Sequence, residues 1–179
     1  MSLTITSDHK HAAAVLQKIA QICAAHGANW NPEVSAEIRG GAMRILAPPG
    51  TTGPLISMPT VLLVPIAEAQ WRDESNALLL KQPPPQATAV QHELLELHAE
   101  LYNATNKMPW WSNAHPARLV ETSDGVHAAL SLLKPRHQTR PERTAAEGFL
   151  ATRSFGWQSN PEQQQRQPVL LPLIDLLNH

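Results

Sequence analysis

A single cysteine, Cys23, stands in a chain of 179 residues. No internal disulfide framework and no multi-cysteine zinc or iron–sulfur centre can be built from it. Excess charge is missing as well: fourteen Lys and Arg against fifteen Asp and Glu leave a formal charge of −1, which supplies no global field for nucleic acid. No run approaches the roughly eighteen apolar residues of a membrane span. The opening MSLTITSDHKH lacks the charged-then-apolar plan of a signal peptide. The expected setting is soluble and cytoplasmic, with neither nucleic acid nor membrane as a partner. No Gly-x-Ser-x-Gly elbow, Walker loop or complete Gly-x-Gly-x-x-Gly fingerprint occurs. Glycines are few, eight against sixteen prolines, which favours extended segments and broken elements. What is present is enough to fold: 42% apolar and 16% charged residues exclude a disordered chain, and the length fits one domain.

Ser7 or Asp8 is placed to cap a helix running to about His26, with Val15, Leu16, Ile19, Ile22 and Cys23 on its inner face and Gly27 as its stop. Cys23 on that stripe reads as a structural thiol. Val34, Ala36 and Ile38 then alternate with polar residues as a half-buried strand, and Gly40-Gly41 turns the chain into a second strand from Ala42 to Ala47. Two short apolar runs follow, Pro54 to Met58 and Val61 to Val64. Residues 66–81 are expected to be helical up to the triple proline at 83–85. Thr88-x-x-Gln91 has the form of a capping box, with Val90, Leu94, Leu97 and Leu101 as the inner stripe of the helix behind it. Ser123 and Pro141 open two further expected helices, the second reaching Arg153. Gln158 to Gln167 reads as an exposed loop. The apolar run Pro168 to His179 needs neighbours on both sides, so the fold is expected to continue past His179.

Metal readings are weak. His9 and His11 lack a third ligand nearby, and His92, Glu96 and Glu100 read as a solvated helix face. The basic run Lys134, Arg136, Arg140 and Arg143 reads as a solvated connector, and Trp110-Trp111 as core. Two features resist so plain a reading. Asp175 and Asn178 follow an apolar stretch at helical spacing, and Asn carries the donor and acceptor that read an adenine-like edge. Arg153, in Thr-Arg-Ser-Phe, offers a guanidinium fork for a carboxylate. Together they suit a nucleoside bearing an amino acid.

In order along the chain, a helix ending at Gly27, a strand, Arg39-Gly40-Gly41-Ala42 and strands leading to Ser57-Met58-Pro59 resemble the opening half of a SET domain. The likeness is to the Rubisco large-subunit methyltransferase type, which includes protein lysine and histidine methyltransferases. In that type a mostly helical insert follows and ends in Ser/Thr-Arg-x-Phe, as at Thr152 to Phe155. A Leu-x-Pro-x-x-Asp-x-x-Asn-His segment comes next, as at Leu170 to His179. The resemblance implies an α+β fold of short SET-like strands around a helical insert. Residues 1–65 would be the N-terminal helix and first β-segment, 66–152 the insert, and 153–179 the second segment.

The resemblance further implies binding of S-adenosyl-L-methionine and methyl transfer to a lysine-bearing segment of a protein substrate. The glycine turn at Arg39, Gly40 and Gly41 would give backbone contacts to the cofactor. Arg153 would hold its carboxylate, and Asp175, Asn178 and His179 would surround its amino end and adenine. Arg44 stands where the family prefers a small residue, and the loop 48–53 is one residue longer. The family's catalytic tyrosine lies beyond the Asn-His motif, and Tyr102, the only tyrosine here, matches no catalytic position, so no catalytic residue is assigned. As given, the SET domain is expected to be incomplete and the chain to self-associate through its exposed apolar end. The alternative is a catalytically inactive SET-like module that binds a protein partner.

Overall fold

The computed structural model describes residues 2–72, 77–109, 145–158 and 166–176. The fold is α+β, with helices packed on several small sheets. It opens with a strand that has no counterpart in the sequence reading, β1 (Thr4–Ser7), followed by α1 (Lys10–Ala25). The inner face of α1 is the expected one, with Val15, Leu16, Ile19 and Cys23 buried. Its cap is not. His9 takes that place, its Nδ1 accepting from the amide of Ala12 at 3.1 Å. Ser7 Oγ accepts from the His9 amide, and the Asp8 carboxylate accepts from the distant Gly40 amide at 2.8 Å. A tertiary partner has drawn Asp8 away from the helix end. At the other end the amides of Gly27 and Ala28 return to the carbonyls of Ala24 and Cys23, and Gly27 has φ +89°. That is a Schellman closure, which favours glycine.

From α1 the chain passes through β2 (Asn29–Trp30) into β3 (Ser35–Arg39) and β4 (Ala42–Leu46). β3 is the middle strand of the first sheet, parallel to β1 and antiparallel to β4. Its Ala36 and Ile38 face the core as the alternation predicts, and Ile38 sits opposite the buried Met43. β5 (Ile56–Ser57) returns to pair with β2. A 3-10 turn (Thr60–Leu62) then leads to β6 (Val64–Pro65).

The expected helix over 66–81 is absent from the described part of that stretch. β7 (Gln70–Trp71) and β8 (Leu80–Gln82) pair there instead, and Glu68 adopts a positive φ of 66°. The reason is a tertiary clamp. Asn103 accepts from the amide of Leu78 at 2.7 Å and donates to its carbonyl at 2.9 Å, occupying groups a helix would need.

α2 (Ala89–Ala104) begins at the expected capping box, with both reciprocal bonds between Thr88 and Gln91 present. Leu94, Leu97 and Leu101 are buried as expected. Leu95, His98, Ala99 and Tyr102 join them, so the helix is covered over more than one stripe. It packs along α1. The Gln91 side-chain Nε2 also donates to the carbonyls of Leu63 and Val61, at 2.9 and 3.2 Å, tying the helix start to the chain before β6.

α3 (Ala145–Ala151) is the described part of the helix expected from Pro141. β9 (Phe155–Trp157) and β10 (Gln167–Leu170) follow, then a 3-10 turn (Ile174–Leu176). β10 lies between β6 and β9, antiparallel to both. The apolar run expected to lack neighbours therefore finds both within the chain, and Val169 and Leu170 are buried. The helix expected at Ser123, the basic run 134–143, Trp110-Trp111 and most of the loop 158–167 lie outside the described residues. Among the described residues no helix is long and apolar enough to cross a membrane.

The capping box gives a direct check. Thr88→Ala should lower unfolding stability by about 1 kcal/mol in urea melts, the usual worth of an N-cap. Gln91→Ala removes the same box and also strips a donor from the Leu63 carbonyl, so it should cost about 1–3 kcal/mol.

Candidate functional site

The β3–β4 hairpin closes through Gly40 and Gly41, with φ of +56° and +78°. Left-handed backbone at both central residues is the combination of a type I′ turn, whose twist matches that of the strands. The two glycines differ in their surroundings. Among the described residues a Cβ on Gly40 would meet nothing within 4 Å, whereas one on Gly41 would lie 3.0 Å from the backbone nitrogen and side chain of Asn106. Asn106 comes just after α2 and seals the turn: its amide donates to the Gly41 carbonyl at 3.0 Å, and its side chain makes a long contact of 3.5 Å with the Gly40 carbonyl. With Asp8 on the Gly40 amide, three backbone groups of the turn are engaged inside the chain. Arg44 projects from the exposed face of β4 onto Glu37 of β3. A bulky residue is accommodated there because it points outward.

Arg153 follows α3 and is half-buried, its guanidinium 5.5 Å from the centre of the Phe149 ring. Phe149 stands edge-on to Tyr102 at 5.1 Å between centroids. The Tyr102 hydroxyl donates to Oδ2 of Asp175, so contacts run unbroken from Arg153 to the last described turn. Asp175 is buried, and its Oδ1 faces Nε2 of buried His98 at 3.8 Å. β4 packs against the turn that carries Asp175.

The electrostatics follow from this burial. The carboxyl of Asp175 is held above its ordinary 3.8, burial outweighing the opposing pull of His98, Tyr102 and Arg153. Burial, aided by Asp175, pushes the Tyr102 hydroxyl well above 10. It also lifts the Cys23 thiol to about 12, which fits the inert role expected of it. Lys107, next to Asn106, is lowered by burial and by the Arg153 charge, with Asp175 opposing. Lys107 thus lies within electrostatic reach of both Arg153 and Asp175, while its neighbour Asn106 rests on the glycine turn.

Of the residues expected at the site, Arg39, Gly40 and Gly41 form the turn, and Arg153 and Asp175 come near one another. Asn178 and His179 lie outside the described residues. Asp175 points into the core toward Tyr102 and His98. The expected cofactor suits part of this set: Arg153 has the charge and the aromatic support to hold a carboxylate, and the face of Gly40 is open to close approach. Sequence reasoning passed over Asn106, Lys107 and His98, and weighed Tyr102 only as a catalytic group. The last two carried a signal, as polar residues four apart among the buried leucines of α2. Asn106 and Lys107 carried none.

Other candidates resolve into ordinary contacts. His92 pairs with Glu96 at 3.1 Å and His11 with Glu100 at 3.0 Å. A groove of about 590 Å³ runs between α2, β8 and His11, with Arg72, Leu78, Leu80 and Asn103 on its walls. None of the expected site residues among the described ones lines it. No family model, curated protein or solved structure matches the chain.

The two glycines separate backbone strain from packing. Gly40→Ala should cost about 1 kcal/mol, the penalty of a left-handed alanine. Gly41→Ala adds a clash with the Asn106 backbone and should cost clearly more in the same urea melts, with loss of the Asn106 amide's protection from hydrogen exchange.

Proposed function

We propose that this chain is part of a cytoplasmic SET-type enzyme that binds S-adenosyl-L-methionine and methylates lysine in a protein substrate. The observation that supports the reading is convergence. The glycine turn, Arg153 and the Asp175 turn belong to three separated segments, yet Asn106 rests on the glycine turn, β4 packs on the Asp175 turn, and Lys107 lies within electrostatic reach of Arg153 and Asp175. Bound S-adenosylmethionine supplies a sulfonium methyl, open to in-line attack by a neutral amine. On this reading Arg153 clasps the carboxylate of the cofactor, its fork steadied by the Phe149 ring. The open side of Gly40 lets the cofactor approach the backbone. Asn178 and His179 serve its adenine and amino end. Alignment of the amine with the methyl is the larger share of such catalysis, and the lysine's proton leaves to solvent.

A second reading, a binding module without transfer, is favoured by one observation. Tyr102 is the only tyrosine of the chain, and its buried hydroxyl is committed to Asp175. It cannot turn toward a substrate amine.

Titration calorimetry with S-adenosylhomocysteine and 5′-methylthioadenosine, which lacks the amino-acid part, tests the proposal. Arg153→Ala should weaken S-adenosylhomocysteine about 10- to 100-fold, as befits a charge-assisted pair, and leave methylthioadenosine unchanged. Absence of any binding by the unaltered chain at millimolar ligand would reject the cofactor reading. Binding without transfer of labelled methyl to protein would favour the second.

A further inference from the structure

Beyond the glycine turn and Arg153, the described core holds one arrangement that ordinary packing does not explain. Oδ1 of Asp175 and Nε2 of His98 face each other at 3.8 Å, both are buried, and neither has a hydrogen-bond partner. The other atoms of both side chains are committed. His98 Nδ1 lies 2.6 Å from the carbonyl of Leu94 on its own helix. A carbonyl only accepts, so Nδ1 must carry a proton. A neutral His98 therefore presents a bare lone pair at Nε2. Asp175 Oδ2 accepts from Tyr102. With Asp175 ionised and His98 neutral, two acceptors would confront each other in a dry core, a costly state. One proton on the line between them removes the conflict, and a closure of about 1 Å would complete a normal hydrogen bond.

We propose that His98 and Asp175 share a single proton across the contact between α2 and the turn Ile174–Leu176, so that the seating of this turn depends on pH. The surroundings favour one proton over two or none. Tyr102 on α2 stays protonated, and Cys23 on α1 stays a neutral thiol. Arg153 and Lys107 bring positive charge from two further segments, which opposes a second proton on the pair. β4 also packs on the turn, and its single ionisable residue, Arg44, is taken up by Glu37. Loss of the shared proton leaves the two acceptors opposed in a dry core. The turn it would loosen stands one residue before Asn178 and His179 in sequence, although the proposal does not need the cofactor reading.

The sign of the effect follows from the carboxyl, which burial holds above 3.8. The folded chain keeps a proton that an unfolded aspartate has given up. The stabilisation is full below 3.8 and is lost as pH rises through the raised value.

Asp175→Asn is a mimic of the one-proton state, since its amide can donate to His98 Nε2 while its oxygen accepts from Tyr102. Urea midpoints of the full chain and this variant, measured from about pH 4 to pH 8, should coincide at the acid end and diverge as pH rises, with the variant the more resistant. A variant weaker by a constant amount at every pH would overturn the proposal. Nitrogen-15 spectra of the histidine rings, with His98 assigned through His98→Gln, provide a second reading on the unaltered protein. His98 should keep its Nδ1 proton throughout. A neutral ring protonated at Nε2 with Nδ1 bare would overturn the proposal even if Asp175→Asn failed to fold.

Discussion

The bond from the Tyr102 hydroxyl to Asp175 is the contact on which most of the structure around the site depends. It joins the end of α2 to a turn 73 residues later and does so within the buried core. Remove it and a carboxyl would be left in the core without the donor that makes its burial tolerable. The ring that carries the hydroxyl is also the surface against which Phe149 stands, and Phe149 in turn supports Arg153. One buried polar bond thus orients an aromatic pair, and the aromatic pair sets the direction of a cation at the edge of the core. The order of dependence runs from the interior outward.

A second tie, through Asn106, binds the far end of the β3–β4 hairpin to the segment just after α2. Asp8 adds a third from the start of α1, so two elements distant in sequence converge on the two glycines of the hairpin. Such a turn is stiff on one side, at Gly41, and open on the other, at Gly40. A close-fitting ligand site needs that combination: fixed backbone with vacant space beside it. Convergence of this kind explains how short strands and one half-buried arginine can form a defined region without any of the signature motifs of nucleotide-binding folds.

Much of this was legible in the sequence where structure is local. The apolar period of α1, the glycine after it, the alternation of β3 and the reciprocal spacing of Thr88 and Gln91 each depend on residues within a few positions, and each has its expected form. The two-residue strands β2 and β7 were not legible, because two residues have no period and their partners are distant, whereas β5 lies within the expected run Pro54 to Met58. Residues 66–81 read as a helix for want of any local sign that Asn103 would take the backbone of Leu78. Asp8 read as a helix cap because its competing partner, Gly40, is remote. At the site, Gly40, Gly41 and Arg153 could be picked out by residue type. That Asp175 turns inward to Tyr102 and His98 is a matter of tertiary packing, which spacing does not encode.

The position of β10 carries a consequence for how the molecule comes to be folded. It is the middle strand of its sheet, yet Val64 of β6 must wait for Leu170 before it has a partner. The first sheet faces no such delay, since β1, β3 and β4 are near neighbours along the chain. During synthesis the sheet around β3 and the helix α1 can assemble while β6 still has an unpaired edge. Pairings over such long separations form slowly, and an unpaired edge is a site where chains associate. The polypeptide is therefore most vulnerable to aggregation while it is being made, in the interval between the emergence of β6 and the arrival of β10.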